Sequence, residues 1–137
     1  MAVELPASDE EKAARNVIEL AGAALARRRS DIPGTFVAQL YGRCVPEDVV
    51  RYGADDIVAL AERAYDFLSE RTPGTPKIRC ETVPLVASGG RKAVSVIEIV
   101  NDDMPFLVDS VMGEPAAPGV EVRLVMHPVF TVKRDAS

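Results

Sequence analysis

Two hydrophobic rhythms divide this chain. From Ala14 to Leu68 apolar residues recur every three or four positions, and from Lys77 onward they alternate or run on without a break. A period of 3.6 marks a helix with one buried face, and a period of two marks a strand. The rhythm changes at Thr72-Pro73-Gly74-Thr75-Pro76, a stretch that cannot continue a helix. The pattern therefore predicts an α+β chain, with a helical N-terminal segment over residues 1–72 and a sheet-containing unit over residues 73–137.

In the front half, Ser8 and Glu11 match a capping box, and Asp9 and Glu10 place negative charge at the positive end of a helix. Ala14, Val17, Ile18, Ala21 and Leu25 make its apolar face, and Arg27, Arg28 and Arg29 close it before Asp31 and Pro33 as a solvated, dipole-favoured end. A shorter helix is expected over Thr35–Arg43, presenting Phe36, Leu40 and Tyr41. Pro46, Glu47 and Asp48 read as the first turn of another, carrying Val49 and Val50. The strongest helical signal is Ile57, Leu60, Ala61, Ala64, Phe67 and Leu68, capped by Asp55 or Asp56 and ending by Arg71.

In the back half, Lys77–Val86 reads as a strand with Ile78, Cys80, Thr82 and Val83 as strand formers, and Pro84 marks an edge or strand end. Ser88-Gly89-Gly90-Arg91 is a turn signal, so Val94–Val100 should pair antiparallel with the first strand. The near-continuous run Val94, Val96, Ile97, Ile99, Val100 predicts cover on both faces, with Glu98 directed to solvent or an adjoining subunit. Asp103 is placed to cap a further helix with Pro105 in its first turn and Phe106, Leu107, Ser110 and Val111 on its inner face. Val120–Val132 would return as a strand, bent near His127 by Pro128, after a right-handed crossover.

Composition narrows the function classes. A hydrophobic fraction of 47% with 27% charge is globular, which excludes wholesale disorder. A net charge of −5 gives no basic footprint for nucleic acid. Cys44 and Cys80 stand apart, neither in a CxxC pair, so reduced thiols are expected rather than a disulfide framework or zinc site. The first residues lack a basic region followed by an apolar run, and no apolar run approaches the length of a membrane span. A cytoplasmic protein with no membrane or nucleic-acid partner is the reading.

Candidate chemistry is sparse. Asn101, Asp102, Asp103 and Asp109 form an acidic cluster without the spacing of a calcium loop, and helix capping accounts for Asp103 without a metal. A strand-to-helix turn exposes N–H groups beside carboxylates, so this turn is better suited to an amine or amide. His127, alone in an apolar strand, reads as a packed side chain rather than a base, since no nucleophile stands at a triad spacing. Gly89-Gly90 is too short for a phosphate cradle, and no GxGxxG or Walker pattern is present.

The runs IEIVNDDMPFLVDSV (Ile97–Val111) and VRLVMHPVFTVKRD (Val122–Asp135) resemble the N-terminal region of the large bacterial NAD-specific glutamate dehydrogenases. VPEDVV (Val45–Val50) and RTPGTPKIR (Arg71–Arg79) extend the likeness over most of the chain from about Phe36. In that family this region looks like an ACT-type domain preceded by helices, with catalysis in a distant C-terminal part. The resemblance implies a partial ACT-like, ferredoxin-like ββαβ unit in a non-catalytic regulatory or assembly segment. It implies no catalytic, cofactor-binding or metal residue in this chain, and NAD in the parent enzyme. The remainder of the dehydrogenase polypeptide, or other subunits, would be the partner, with self-association and an amino-acid effector as further expectations.

Asn101, Asp102, Asp103 and Phe106 form the candidate ligand turn. Phe106 stands where such domains carry a small glycine that lets a ligand approach, which weighs against tight amino-acid binding. After the expected helix, relatives resemble GELxxRG where this chain has Gly113-Glu114-Pro115-Ala116-Ala117-Pro118-Gly119. A proline inside a helix costs about 3 kcal/mol, so that helix should stop near Gly113. A stand-alone amino-acid-binding module is the alternative reading.

Overall fold

The computed structural model describes residues 8–85, 92–103 and 122–132. Four helices, α1 (Asp9–Arg28), α2 (Phe36–Tyr41), α3 (Pro46–Val49) and α4 (Ala54–Ser69), precede two strands, β1 (Lys77–Leu85) and β2 (Lys92–Val100). The strands pair antiparallel, from Lys77 opposite Val100 to Leu85 opposite Lys92. The chain is α+β, as its two rhythms require. The expected helix after Asp103, the crossover and Pro115 and Pro118 lie outside the described residues.

The helical unit follows its sequence closely. Ser8 Oγ accepts from the Glu11 N–H at 3.1 Å, which occupies one donor that the first turn of α1 leaves open. Ala14, Ala21 and Leu25 of α1 are buried against Phe36, Val37, Tyr41, Ile57 and Ala61. Ala21 and Ala61, both fully buried, let the helix axes approach closely. Inside this core the Tyr41 hydroxyl donates to the Ile57 carbonyl at 3.1 Å, and burial holds the phenol neutral well above its ordinary pKa.

Three local expectations are corrected here. The second helix is shorter than Thr35–Arg43, because Gly42 ends it after Tyr41. The N-cap of α4 is Gly53, not Asp55 or Asp56; its carbonyl accepts from the Ile57 N–H, and both aspartates sit in the first turn. The arginine run divides. Arg28 is largely solvated beside Glu62, whereas Arg29 turns onto α4, ion-paired to Asp31 and Asp66 and stacked over the Tyr65 ring.

Larger differences concern the sheet. Among the described residues β2 is covered on one side: Ile97 is 55% and Ile99 37% exposed, while Val94 and Val96 pack toward the core. Strict alternation therefore places Glu98 on the helix-facing side, its side chain only 12% exposed, rather than in solvent. The expected returning strand is absent as a strand among the described residues, since 122–132 has no regular secondary structure. Its apolar side chains are still used. Leu124, Met126 and Phe130 pack on the helical core, and Phe130 stacks on Phe36 with centroids 5.3 Å apart. Packing on the helices, rather than ladder bonding to the hairpin, decides its course. Pro128 has no N–H to offer a ladder.

Candidate functional site

The candidate turn, Asn101 to Asp103, leaves β2 just beyond the Val100–Lys77 pair, beside the C-terminal end of α4. Two cations converge there. Lys77 Nζ donates to the Phe67 and Glu70 carbonyls at 2.8 and 2.7 Å and lies 4.4 Å from the Phe67 ring centroid. It thereby occupies carbonyls that the end of α4 leaves open, at the negative end of the helix dipole. Arg71, whose side chain is only 9% exposed, donates from Nε to the Thr75 carbonyl at 2.9 Å. The same guanidinium reaches Asp102 Oδ1 at 2.8 Å and Asn101 Oδ1 at 3.5 Å.

Arg71 therefore clamps three pieces of chain: the end of α4, the Pro/Gly turn and the candidate ligand turn. The Pro/Gly turn can close this tightly because Gly74 adopts φ +78°, a conformation costly for any residue with a Cβ. The Thr75 N–H bonds back to the Thr72 carbonyl at 3.2 Å. Asp102, the carboxylate best placed to hold an amine, gives one oxygen to a cation from its own chain and keeps its side chain 71% exposed. Asp103 is exposed, and Phe106 lies outside the described residues. The structure so brings Asn101 and Asp102 together, on a partner that helix and turn patterns did not single out.

A second ionic network sits between α4 and the hairpin. Glu98 Oε1 accepts from Arg79 at 2.6 and 2.9 Å and from Arg63 at 3.3 Å. Arg63 also holds Glu81 at 2.9 Å, which keeps that carboxyl below its ordinary pKa, and Arg79 stacks 4.5 Å over Phe67. These charges dock the sheet on the helix. Period-two alternation contains the signal for Glu98, since it shares a face with Val94 and Val96, but the position of Arg63 depends on how α4 lies across the strands.

The remaining candidates are structural in their contacts. The Cys44 thiol donates to the Val125 carbonyl at 3.1 Å, and burial pushes its pKa up to about 11. Cys80 is exposed, and both thiols are free. His127 is half-buried in the 122–132 segment. A cleft of about 240 Å³ lies between Pro33, Phe36, Tyr65, Leu68 and Phe130, with Gln39 at its wall. Its aromatic lining is apolar, and the Tyr65 hydroxyl is spent on the Asp31 carbonyl at 3.0 Å. Among the described residues no three His, Cys, Asp or Glu side chains are grouped to hold a metal, and no helix is long and apolar enough to cross a membrane.

Residues 36–137 match the family model for the glutamate dehydrogenase ACT1 domain. NAD-specific glutamate dehydrogenase of Halomonas elongata is 30% identical over 101 residues, 74% of this chain and 6% of that protein. NAD-specific glutamate dehydrogenase of Pseudomonas aeruginosa is 24% identical over 101 residues, with the same shares of each. The chain thus spans a small fraction of the length of these curated relatives. No solved structure is a significant match. The family match takes in α2, α3, α4 and the hairpin together, so the helices and the sheet that Arg71 and Arg63 join fall within one matched region. The chain belongs to the glutamate dehydrogenase ACT1 domain family.

Proposed function

We propose that this chain serves as a regulatory or assembly segment of an NAD-specific glutamate dehydrogenase and does no chemistry itself. The parent would oxidatively deaminate L-glutamate to 2-oxoglutarate and ammonia, with NAD bound elsewhere in the longer polypeptide. The family match over residues 36–137 carries this reading. Geometry supports it, because the charged groups are committed to holding helix and hairpin together. The Arg71–Asp102 pair ties the candidate turn to the end of α4 and the Pro/Gly turn, which supports the assembly role. A cytoplasmic location follows from the same reading.

The test is an antibody raised against this chain, applied to the native host extract and combined with an in-gel assay for glutamate-dependent NAD reduction. The expected result is an immunoreactive polypeptide many times longer than 137 residues that coincides with the activity, while the purified chain alone produces no NADH. NADH formation by the rigorously purified chain, or an immunoreactive species of this chain's length alone, separate from the dehydrogenase, would overturn it.

A further inference from the structure

The first helix stands outside the matched region yet inside the core. The family match opens at residue 36, whereas α1 ends at Arg28. Ala14, Ala21 and Leu25 of α1, with Ile32 in the turn that follows, are no more than 5% exposed and join one apolar cluster with Val37 and Ile57. α1 lies against α2, α3 and α4. Its exit is fastened to α4: Arg28 reaches Glu62 at 3.2 Å, Arg29 reaches Asp66 at 3.0 Å, and the Tyr65 hydroxyl donates to the Asp31 carbonyl at 3.0 Å. Without α1 the helices among the described residues are α2 of six residues, α3 of four and α4 of sixteen. Helices shorter than about 12 residues are marginal alone and persist through a packed face.

We propose that α2, α3 and α4 form a helix-receiving face, and that the segment 8–34 of this chain is the partner it fits, so that the folding unit begins at Ser8 rather than at Phe36. Three features of the contact identify that partner. Its buried positions are small along most of their length, with Ala14, Ala21 and one larger anchor, Leu25. The backbone of α1 runs close over α2: a Cβ on Gly22 would stand 3.8 Å from the Val37 Cβ and 3.9 Å from the Gly34 carbonyl oxygen. A helix with bulky residues at these positions would be held off, because interiors are close-packed. Finally, Glu62 and Asp66 lie one turn apart on α4 and meet the two arginines that close α1, which sets the register of one helix on the other. The face is independent of the regulatory reading, because it rests on core packing alone.

Cutting the full chain between α1 and α2 tests the proposal. A site for a sequence-specific protease is inserted between Gly34 and Thr35, which are both exposed, and the uncut insertion variant is the reference. After cleavage the two pieces should co-elute in size exclusion and melt in one transition followed by circular dichroism. The midpoint should rise with protein concentration, because α1 now binds by mass action, while that of the uncut variant stays fixed. Gly22→Ala should tighten the cleaved complex about fivefold, since it removes a glycine from a helix interior where a Cβ fits. Leu25→Ala should weaken it by at least about thirtyfold. Leu20→Ala, at a position 56% exposed, should change the affinity by less than about twofold. Gly22→Ala acts toward tighter binding, so it reports on the face even if Leu25→Ala fails to fold. A midpoint independent of concentration after cleavage would overturn the proposal. So would an α1 piece that leaves a remainder still melting cooperatively at the uncut midpoint, which would show that α1 is dispensable.

Discussion

Replacing Glu98 with alanine should destabilise the chain more than any surface ion-pair loss would. Glu98 Oε1 is the common acceptor for Arg79 and Arg63, and its side chain is 12% exposed against 30% and 27% for the two arginines. A fully solvated pair contributes about 0–1 kcal/mol, and breaking a fully buried one costs about 3–5 kcal/mol. The Glu98 cluster lies between these limits. Arg63 keeps Glu81 and Arg79 keeps the Phe67 ring after the change, so neither cation is stranded. Together these considerations give about 2 kcal/mol for Glu98→Ala. At this chain length that corresponds to a drop in Tm of about 7 °C. Glu98→Gln retains the acceptor oxygen and loses the charge, so its drop should be about half as large. Thermal melts followed by circular dichroism at low ionic strength supply the measurement. A Tm for Glu98→Ala within about 1 °C of the parent would refute the docking role and return Glu98 to the solvent position that its sequence context alone suggests.

Two further outcomes follow from the same contacts. At pH 8 a maleimide should label exposed Cys80 well before Cys44, and because the folded Cys44 thiol titrates near 11, above its ordinary value, its contribution to stability should be complete below about pH 8.5 and be lost as the pH rises toward 11; equal labelling rates, or chemical-denaturation midpoints of parent and Cys44→Ala that do not converge between those values, would contradict the buried thiol. Phe130→Ala removes the ring stacked on Phe36 and should cost about 2 kcal/mol in urea denaturation, whereas a neutral result would show that the 122–132 segment does not pack on the helical core.

How much of this was legible beforehand can be seen residue by residue. Local interactions are written in neighbouring residues, and those were readable: the Ser8 cap, the faces of α1 and α4, the break at Gly74 and the antiparallel pairing of β1 with β2. The short runs that carry the family likeness were readable for a related reason, since they hold their residue types in order. What the order of residues left open was which side of the sheet α4 would occupy. Val94, Val96, Ile97, Ile99 and Val100 are apolar on both sides of β2, so the strand by itself gives no inside or outside. The crossing of α4 over the hairpin resolves it, because Arg63 and Phe67 supply partners for Glu98 and Arg79 on one face only. The same crossing spends Asp102 on Arg71, 31 residues away in sequence, and turns the isoleucines outward. Charge pairing across distant segments depends on three-dimensional placement, and no local pattern encodes it. Helix, turn and strand were therefore decided by the sequence of this chain, whereas the Arg71–Asp102 pair and the exposed apolar face were decided by its tertiary structure.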